Sequence, residues 1–360
     1  MRIALVHDYF TQLGGAERVV GELATILQPV AIGAAVVDRR LLPPQLEGRE
    51  IRSSRLQVLL RAGAPLASLA PLLPWAFSNL DMGPADVVVS SSSAFAHQVR
   101  VPRGAVHVAY VHTPARFIWQ THEYFREQRG QERLLGPALD WFRRVDRAAY
   151  RRIDRVVANS AHTAARLAAI HGAEPTVVHP PIDLEAFGPS EERSGRFLVV
   201  ARLRPYKRLD VAIAAAGLAS LPLDVIGSGP DLGRLRRLAG PTVRFLGRLS
   251  DRDVARAMAT CDALVVPGAE DFGLTMAEVQ AAGRPPLALA AGGAREIIED
   301  GITGFLVADP SAEAFAEGML RARATTLDRT TLRASAERFG TAPFAAAMRR
   351  IVAETAGAAA

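Results

Sequence analysis

Short apolar runs recur along this chain, each closed by a loop rich in Gly, Ser or charge and most followed by apolar residues at helical spacing. Arg2–His7, Val30–Val37, Asp86–Ser90, Val106–Val111 and Ile153–Ala158 come before a stretch of Pro, Gly and charge from His179 to Gly195. Phe197–Ala201, Leu223–Ile226, Val243–Leu246, Ala263–Val266, Leu287–Ala290 and Phe305–Val307 come after it. A run without polar alternation is a strand buried on both faces, and such strands belong to parallel sheets covered by helices. The pattern therefore predicts an α/β chain of two Rossmann-like, doubly wound parallel-sheet domains facing a central cleft. The expected boundaries are 1–185, a linker over 186–195, and 196–341, with a last helix over 342–360. A length of 360 residues suffices for two cores of ordinary size.

Open parallel sheets collect ligands beyond the carboxyl ends of their strands, so the loops there are the places to look for chemistry. The richest is Pro267–Gly283, PGAEDFGLTMAEVQAAG, between the strand Ala263–Val266 and a helix carrying Leu274, Ala277, Glu278 and Ala281. Glu270 lies in the loop and Glu278 just over one turn into the helix, so the two carboxylates cannot share a helical face. That spacing suits a ligand lying across the helix start, with phosphate at the N–H groups of Gly273, Leu274 and Thr275 and a carboxylate at either end holding hydroxyls. Sugar and ribose supply such hydroxyls.

The turn Arg202–Arg208 follows Phe197–Ala201 in the same way. Lys207 is the single lysine among 43 basic residues, and a compact ammonium acts where the planar guanidinium fork does not, as a point charge between phosphate oxygens or as an amine. Arg202 at the strand end and Lys207 at the helix start can converge on one anion. Gly227-Ser228-Gly229-Pro230 reads as a turn of close approach. Gly14 and Gly15, between Arg2–His7 and a helix from about Val19, read as a second place where backbone meets ligand. His112 ends the run Val106–Val111, also beyond a strand's carboxyl end. Asp251 and Asp253 spell D-x-D, but after Ser250 they read as a capped helix start with an acidic first turn. His107, His112, His122 and His179 lack metal-ligand spacing, and neither metal nor cofactor is expected.

Cys261 is the only cysteine, and the first ten residues carry His and Asp inside their apolar run, unlike a secretory leader. A cytoplasmic location is expected. Leu56–Leu80 is interrupted by Arg61, Pro65, Pro71 and Pro74 and is no membrane span; its leucines, with Arg52, Arg55 and Arg61 nearby, are expected to pack inside the domain, a place on a membrane surface being the other reading. The net charge of +6 favours anionic partners without choosing among them. The stretch Arg143, Arg144, Arg147, Arg151, Arg152 and Arg155 reads as a solvated face, and second as a contact with anionic membrane.

Taken together, ALVHDYFTQLGGAER, YVHTPARFIW, VVARLRPYKRLD, VIGSGP, FLGRLSD, EDFGLTMAE and AGGAREIIEDGITGFLV resemble the retaining glycosyltransferases of family 4, which have the GT-B fold. The first two resemble most closely the bacterial mannosyltransferases that use GDP-mannose to build polysaccharide. The resemblance implies a metal-independent hexosyl transfer from a nucleotide sugar to a glycan or lipid-linked acceptor, with no nucleic-acid partner. It implies that Arg202 and Lys207 neutralise the departing diphosphate, helped by backbone at Gly14, Gly15, Phe272, Gly273, Leu274 and Thr275. Glu278 would hold the ribose, Glu270 the sugar hydroxyls, Gly227, Arg248 and Leu249 the base, and His112 the sugar near its reacting carbon. The alternatives are a UDP-sugar as donor, Lys207 as a Schiff-base amine for pyridoxal phosphate, and a non-catalytic, nucleotide-regulated scaffold at the membrane surface.

Overall fold

The computed structural model describes residues 1–121 and 131–358; His122 and the last two alanines of the tail lie outside the described residues. The chain forms two compact units, Met1–Pro180 with Phe344–Ala360, and Pro181–Pro343.

The first unit is built on seven strands: β1 (Ile3–His7), β2 (Ala31–Ala34), β3 (Ile51–Ser53), β4 (Val87–Ser92), β5 (Val106–Val111), β6 (Arg155–Ala158) and β7 (Thr176–Val177). They lie in the order β3-β2-β1-β4-β5-β6-β7, all parallel. Both faces are buried, as the apolar runs require. Ile3 and Leu5 of β1 point into a core shared with Val20, Leu23 and Val87, while Ala4 and Val6 point into a second core with Val88, Phe77 and Phe95. The helix Thr341–Ala358 contributes Phe344, Met348, Ile351 and Val352 to the first of these cores, and Phe344 packs edge-on to Tyr110 at 5.7 Å. The leucine-rich stretch divides: Leu56, Leu69 and Leu73 are buried, whereas Leu59 and Leu72 face solvent.

The second unit repeats the plan with β8 (Phe197–Val200), β9 (Leu223–Ile226), β10 (Val243–Gly247), β11 (Leu264–Val266), β12 (Pro286–Leu289) and β13 (Phe305–Val307), in the parallel order β10-β9-β8-β11-β12-β13. Phe197 and Val199 point to one core and Leu198 to the other. The stretch expected as linker is bound down within this unit. The buried guanidinium of Arg284 donates to the carbonyls of Ser190 and Glu192 at 3.0 and 2.6 Å, Arg333 donates to that of Phe187 at 2.9 Å, and the Ile182 amide reaches the Phe339 carbonyl at 2.8 Å. Polar, aperiodic sequence here marks irregular backbone that side chains hold in place. Ser250 caps the helix Asp251–Thr260, accepting from the Asp253 amide at 3.2 Å and donating to its carboxylate at 2.6 Å, so the D-x-D spelling is a helix start.

Candidate functional site

In each sheet the strand order reverses once, between β1 and β4 and between β8 and β11. Adjacent connections leave to opposite faces at such a point and open a crevice beyond the strand ends. Arg202, Lys207, Glu270 and the helix start after it lie beyond β8 and β11, and Gly14 and His112 beyond β1 and β5; Gly227, Arg248 and Leu249 lie beyond the neighbouring strands β9 and β10.

In the second unit, β8 runs into the turn carrying Arg202 and Lys207, and β11 runs into the loop carrying Glu270. The Lys207 ammonium is bound by Glu270, with Nζ 2.6 Å from both carboxylate oxygens and both side chains mostly shielded. It also stands 5.4 Å from the Tyr206 ring centroid. The chemistry-bearing cation and anion therefore meet across 63 residues of sequence. Arg202 is exposed on the same turn. The helix Leu274–Ala281 starts immediately beyond Glu270, and its N-cap Gly273 is left-handed, with φ of 101°. Leu274 and Thr275 form its half-buried first turn and Glu278 is buried further along it. The ring of Phe272 packs edge-on to Phe339 at 5.2 Å, which leaves its backbone as the part that could meet a ligand. Arg248 and Leu249 are exposed beyond the end of β10.

Glycines hold these loops together. Gly227 has φ of 136°, and a Cβ there would lie 1.8 Å from the Ala201 carbonyl oxygen; one on Gly229 would lie 2.3 Å from that of Leu203. The amide of Leu203 donates to Ser228 and that of Asp231 to Leu203. The close approach read from Gly-Ser-Gly-Pro is thus made to the protein's own Arg202 turn, which it sets in position. Two contacts were not foreseen from sequence. A Cβ on Gly268 would meet the Tyr206 and Lys207 carbonyls at 2.9 Å, so this glycine lets the Lys207 turn press against the Glu270 loop. Gly292, with φ of 62°, leaves room for the Glu270 carbonyl, which accepts from the Gly293 amide at 2.9 Å. The Gly292-Gly293 pair stands in the sequence within AGGAREIIEDGITGFLV, but nothing local marks its partner.

In the first unit, Gly14 caps the helix Gly15–Leu27 in extended backbone that any residue can adopt, with φ of −134°. Its amide donates to the buried Glu17 carboxylate at 2.9 Å, and Gln12 donates to the same group at 2.9 Å. The Glu17 carboxylate faces His7 Nε2 across 3.9 Å, an ion-pair distance too long for a hydrogen bond. Burial alone would raise the Glu17 carboxyl, but His7 and Gln12 overcome it and hold it at about 2. Burial opposes charge on His7 as well, and Glu17 and Asp8 outweigh it to raise the imidazole. His7 Nδ1 lies 3.0 Å from the Ser91 carbonyl and 3.2 Å from its hydroxyl, and that hydroxyl lies 2.7 Å from His112 Nε2. Gly14 and His112 are thus joined through Glu17, His7 and Ser91 along the carboxyl ends of β1, β4 and β5. The spacing Gly-x-x-Glu at a helix start is a capping signal that could have flagged Glu17; nothing local marks Ser91. Next to this row, the Asp8 carboxylate accepts from the amides of Ser93, Ala94, Phe95 and Ala96, fixing the loop after β4.

Against this geometry, residues 13–186 match the model of "Glycosyltransferase Family 4" and residues 183–339 that of "Glycosyl transferases group 1". The chain has the GT-B fold, and the two models, both of glycosyltransferases, together match residues 13–339. Among solved structures it is similar over 98% of its length to HepE of Anabaena, crystallised with UDP and glucose, covering 100% of that chain with a TM-score of 0.72 and 18% identity. It is similar over 99% of its length to sucrose-phosphate synthase of Thermosynechococcus elongatus, again covering 100% of that chain, with a TM-score of 0.75 and 19% identity. D-inositol 3-phosphate glycosyltransferase of Mycobacterium marinum is 33% identical over 217 residues, 52% of this chain and 47% of that protein. For the enzyme of the same name from Mycobacterium tuberculosis the figures are 34% over 217 residues, 52% and 45%. The chain spans about half the length of these curated relatives.

Proposed function

We propose that this GT-B glycosyltransferase moves a hexosyl group from a nucleoside diphosphate sugar to a glycan or lipid-linked acceptor, with retention of configuration and without a metal. The observation that carries the reading is the Lys207–Glu270 pair beyond β8 and β11, beside the start of the helix Leu274–Ala281. Without ligand the two side chains satisfy one another. A diphosphate arriving at the helix N-terminus offers the ammonium a stronger anion, and this frees Glu270 to accept hydrogen bonds from sugar hydroxyls. The exchange leaves neither partly buried charge unpaired, which is the condition for a low-cost rearrangement.

In this scheme Arg202 adds a second positive charge to the diphosphate as it leaves. The N–H groups of Gly273, Leu274 and Thr275 point along the helix dipole at the same phosphates. Glu278 holds the ribose and the exposed Arg248 and Leu249 flank the base. The departing phosphate takes the acceptor's proton on the face it leaves, so no protein nucleophile takes part. Catalysis is then electrostatic stabilisation of the leaving group and of the oxocarbenium-like sugar.

The sequence motifs favour GDP-mannose as donor. UDP-glucose is the second reading, since HepE of similar fold was crystallised with UDP and glucose. Inositol 3-phosphate is an acceptor to try, since the mycobacterial relatives are named D-inositol 3-phosphate glycosyltransferases. The test is release of nucleoside diphosphate from a panel of GDP- and UDP-sugars, with and without acceptor and with and without EDTA. The preferred nucleotide at about 100 times its Kd adds about 2.7 kcal/mol to stability. Lys207→Ala lowers turnover by about 10²-fold or more while Lys207→Ala with Glu270→Gln, which relieves the orphaned carboxylate, restores folding and not activity. Full turnover in a folded Lys207→Ala protein overturns this mechanism, and failure to turn over any sugar nucleotide overturns the function.

A further inference from the structure

The Lys207–Glu270 pair is set by backbone contacts as well as by its own charges. A Cβ on Gly268 would meet the carbonyl oxygens of Tyr206 and Lys207 at 2.9 Å, so the two loops touch main chain to main chain just before Glu270. On the other side the Glu270 carbonyl accepts from the Gly293 amide at 2.9 Å, and the contact leaves no room for a Cβ on Gly292. The backbone of Glu270 is therefore fixed from both sides, and its carboxylate stands beside the Lys207 turn even when the ammonium is engaged elsewhere. Among the described residues that carboxylate hydrogen-bonds to Lys207 alone, with Nζ 2.6 Å from both oxygens. Side-chain exposures of 19% for Lys207 and 16% for Glu270 keep most water away from the contact.

We infer that Glu270 is a release residue: it competes with the diphosphate for Lys207 and so holds the affinity for free nucleoside diphosphate below what the cations of the site would give. The inference rests on the reading of Lys207 as the cation that meets the diphosphate, and deepens it by assigning Glu270 a role toward the departing product. The ammonium must leave the carboxylate before it turns to a phosphate, so only the open fraction of molecules binds and the apparent Kd rises by the inverse of that fraction. A charge-assisted contact made to both oxygens and shielded from water keeps the open fraction small. Once the pair has opened, Glu270 also remains as a like charge near the phosphates. Both effects vanish with the carboxylate's charge, but only the first needs Lys207. Closing of the pair then drives the product out. Both members of the pair, and the glycines that set it, belong to the second unit.

A double-mutant cycle on the full chain tests this, with GDP and UDP titrated in parallel by calorimetry. Glu270→Gln, neutral and of the same shape, is expected to bind the preferred diphosphate about tenfold tighter and to release it more slowly. Lys207→Ala is expected to weaken binding. Adding Glu270→Gln to Lys207→Ala is expected to tighten it by less than about threefold, because the competition is already gone; a merely structural effect of the glutamine would persist there in full. Glu270→Asp draws the carboxylate back by one methylene and is expected to fall between glutamate and glutamine, which keeps the test open if Glu270→Gln does not fold. Lys207 is the single lysine, so lysine-selective ¹³C labelling gives one side-chain signal. That signal is expected to shift when diphosphate is added to the unaltered protein. Binding that is no tighter in Glu270→Gln and Glu270→Asp overturns the inference, as does equal tightening with and without Lys207. If Lys207→Ala leaves the affinity unchanged, or neither diphosphate binds, the reading of Lys207 fails and takes the inference with it. If Lys207→Ala weakens binding and the Glu270 variants do not tighten it, the inference fails alone.

Discussion

At the residue scale, the first unit carries buried ionisable groups whose protonation differs between folded and unfolded chain, and the signs can be worked out. Burial pushes His107 down to about 3, helped by the like charges of His97 and Arg152, so the folded protein keeps it neutral while the unfolded chain protonates it near 6.5. Stability therefore falls as pH drops from about 6.5 toward about 3. Glu17, held at about 2 against an ordinary 4.5, adds a second loss between those values. His7 acts the other way: its raised value contributes stability that is complete below 6.5 and lost as pH rises through it. All three tryptophans, Trp75, Trp119 and Trp141, lie in the first unit, so their fluorescence reports its unfolding selectively. Urea midpoints followed this way are expected to fall steadily below pH 6.5, and His107→Gln is expected to flatten the upper part of that limb. A midpoint unchanged between pH 6.5 and 5 contradicts the assignment. Lys207 and Glu270 were legible in the sequence, one as the lone lysine and the other from its loop; their pairing was not, because no local pattern records a contact across so many residues. His7 was illegible as a functional group, since it looks like a polar interruption of an apolar run, and Glu17 was readable as a helix cap but not as the partner of His7.

At the scale of elements, strands of mainly apolar sequence were legible to within a few residues, and Val106–Val111, Leu223–Ile226 and Phe305–Val307 agree at both ends. The two that were missed, β3 and β7, are the edge strands of the first sheet and only three and two residues long. An edge strand has one neighbour and often one exposed face, so it lacks the continuous apolar run that identifies a central one. The last helix, expected over 342–360, is Thr341–Ala358, and before it lie Ala312–Ala324 and Arg329–Glu337, the second started by Asp328, which accepts from the Thr331 amide at 2.8 Å. The last helix carries a clear stability prediction. Met348 is fully buried among Phe344, Ile351 and the residues of β1 and β4. Met348→Ala removes a thioether from a packed core and is expected to cost about 2–5 kcal/mol, seen as a lower urea midpoint in tryptophan fluorescence. A change below about 0.5 kcal/mol, the range of an exposed substitution, would mean that this helix does not belong to that core.

At the scale of the whole molecule, the net charge of +6 is too general to name a partner, and its distribution says more. Several of the arginines where a membrane contact was one expectation have partners within the unit, while Arg151 and Arg152 are exposed. Arg143 pairs with Asp140 at 3.0 Å, Arg147 lies 4.9 Å over the Trp119 ring, and Arg155 faces Glu354 at 3.9 Å. The stretch between Arg52 and Asp81 is different. Arg55, Val58 and Leu59 share an exposed face of the helix Leu56–Arg61, and Leu72 and Trp75 are exposed beside the helix Leu73–Ser78. Arg52, Arg55, Trp75 and Asn79 line one open groove that joins the two. Exposed tryptophan and leucine ringed by arginine is the composition of a surface that sits at the headgroup level of an anionic bilayer. Among the described residues no helix is long and apolar enough to cross one, so any such contact is peripheral. A lipid-linked acceptor would place the enzyme there, and each arginine near the surface adds about 1 kcal/mol of attraction. Co-sedimentation with vesicles is expected to show binding to mixed anionic and neutral lipid and little binding to neutral lipid alone. Replacing Arg55 and Arg61 with Glu and Trp75 with Ala is expected to weaken that binding by at least tenfold, while turnover of a soluble acceptor analogue stays unchanged. Charge reversal at Arg144 and Arg151 serves as the comparison. If it weakens binding more than the triple variant does, the contact belongs to the arginine helix, and the Trp75 face is an ordinary exposed surface.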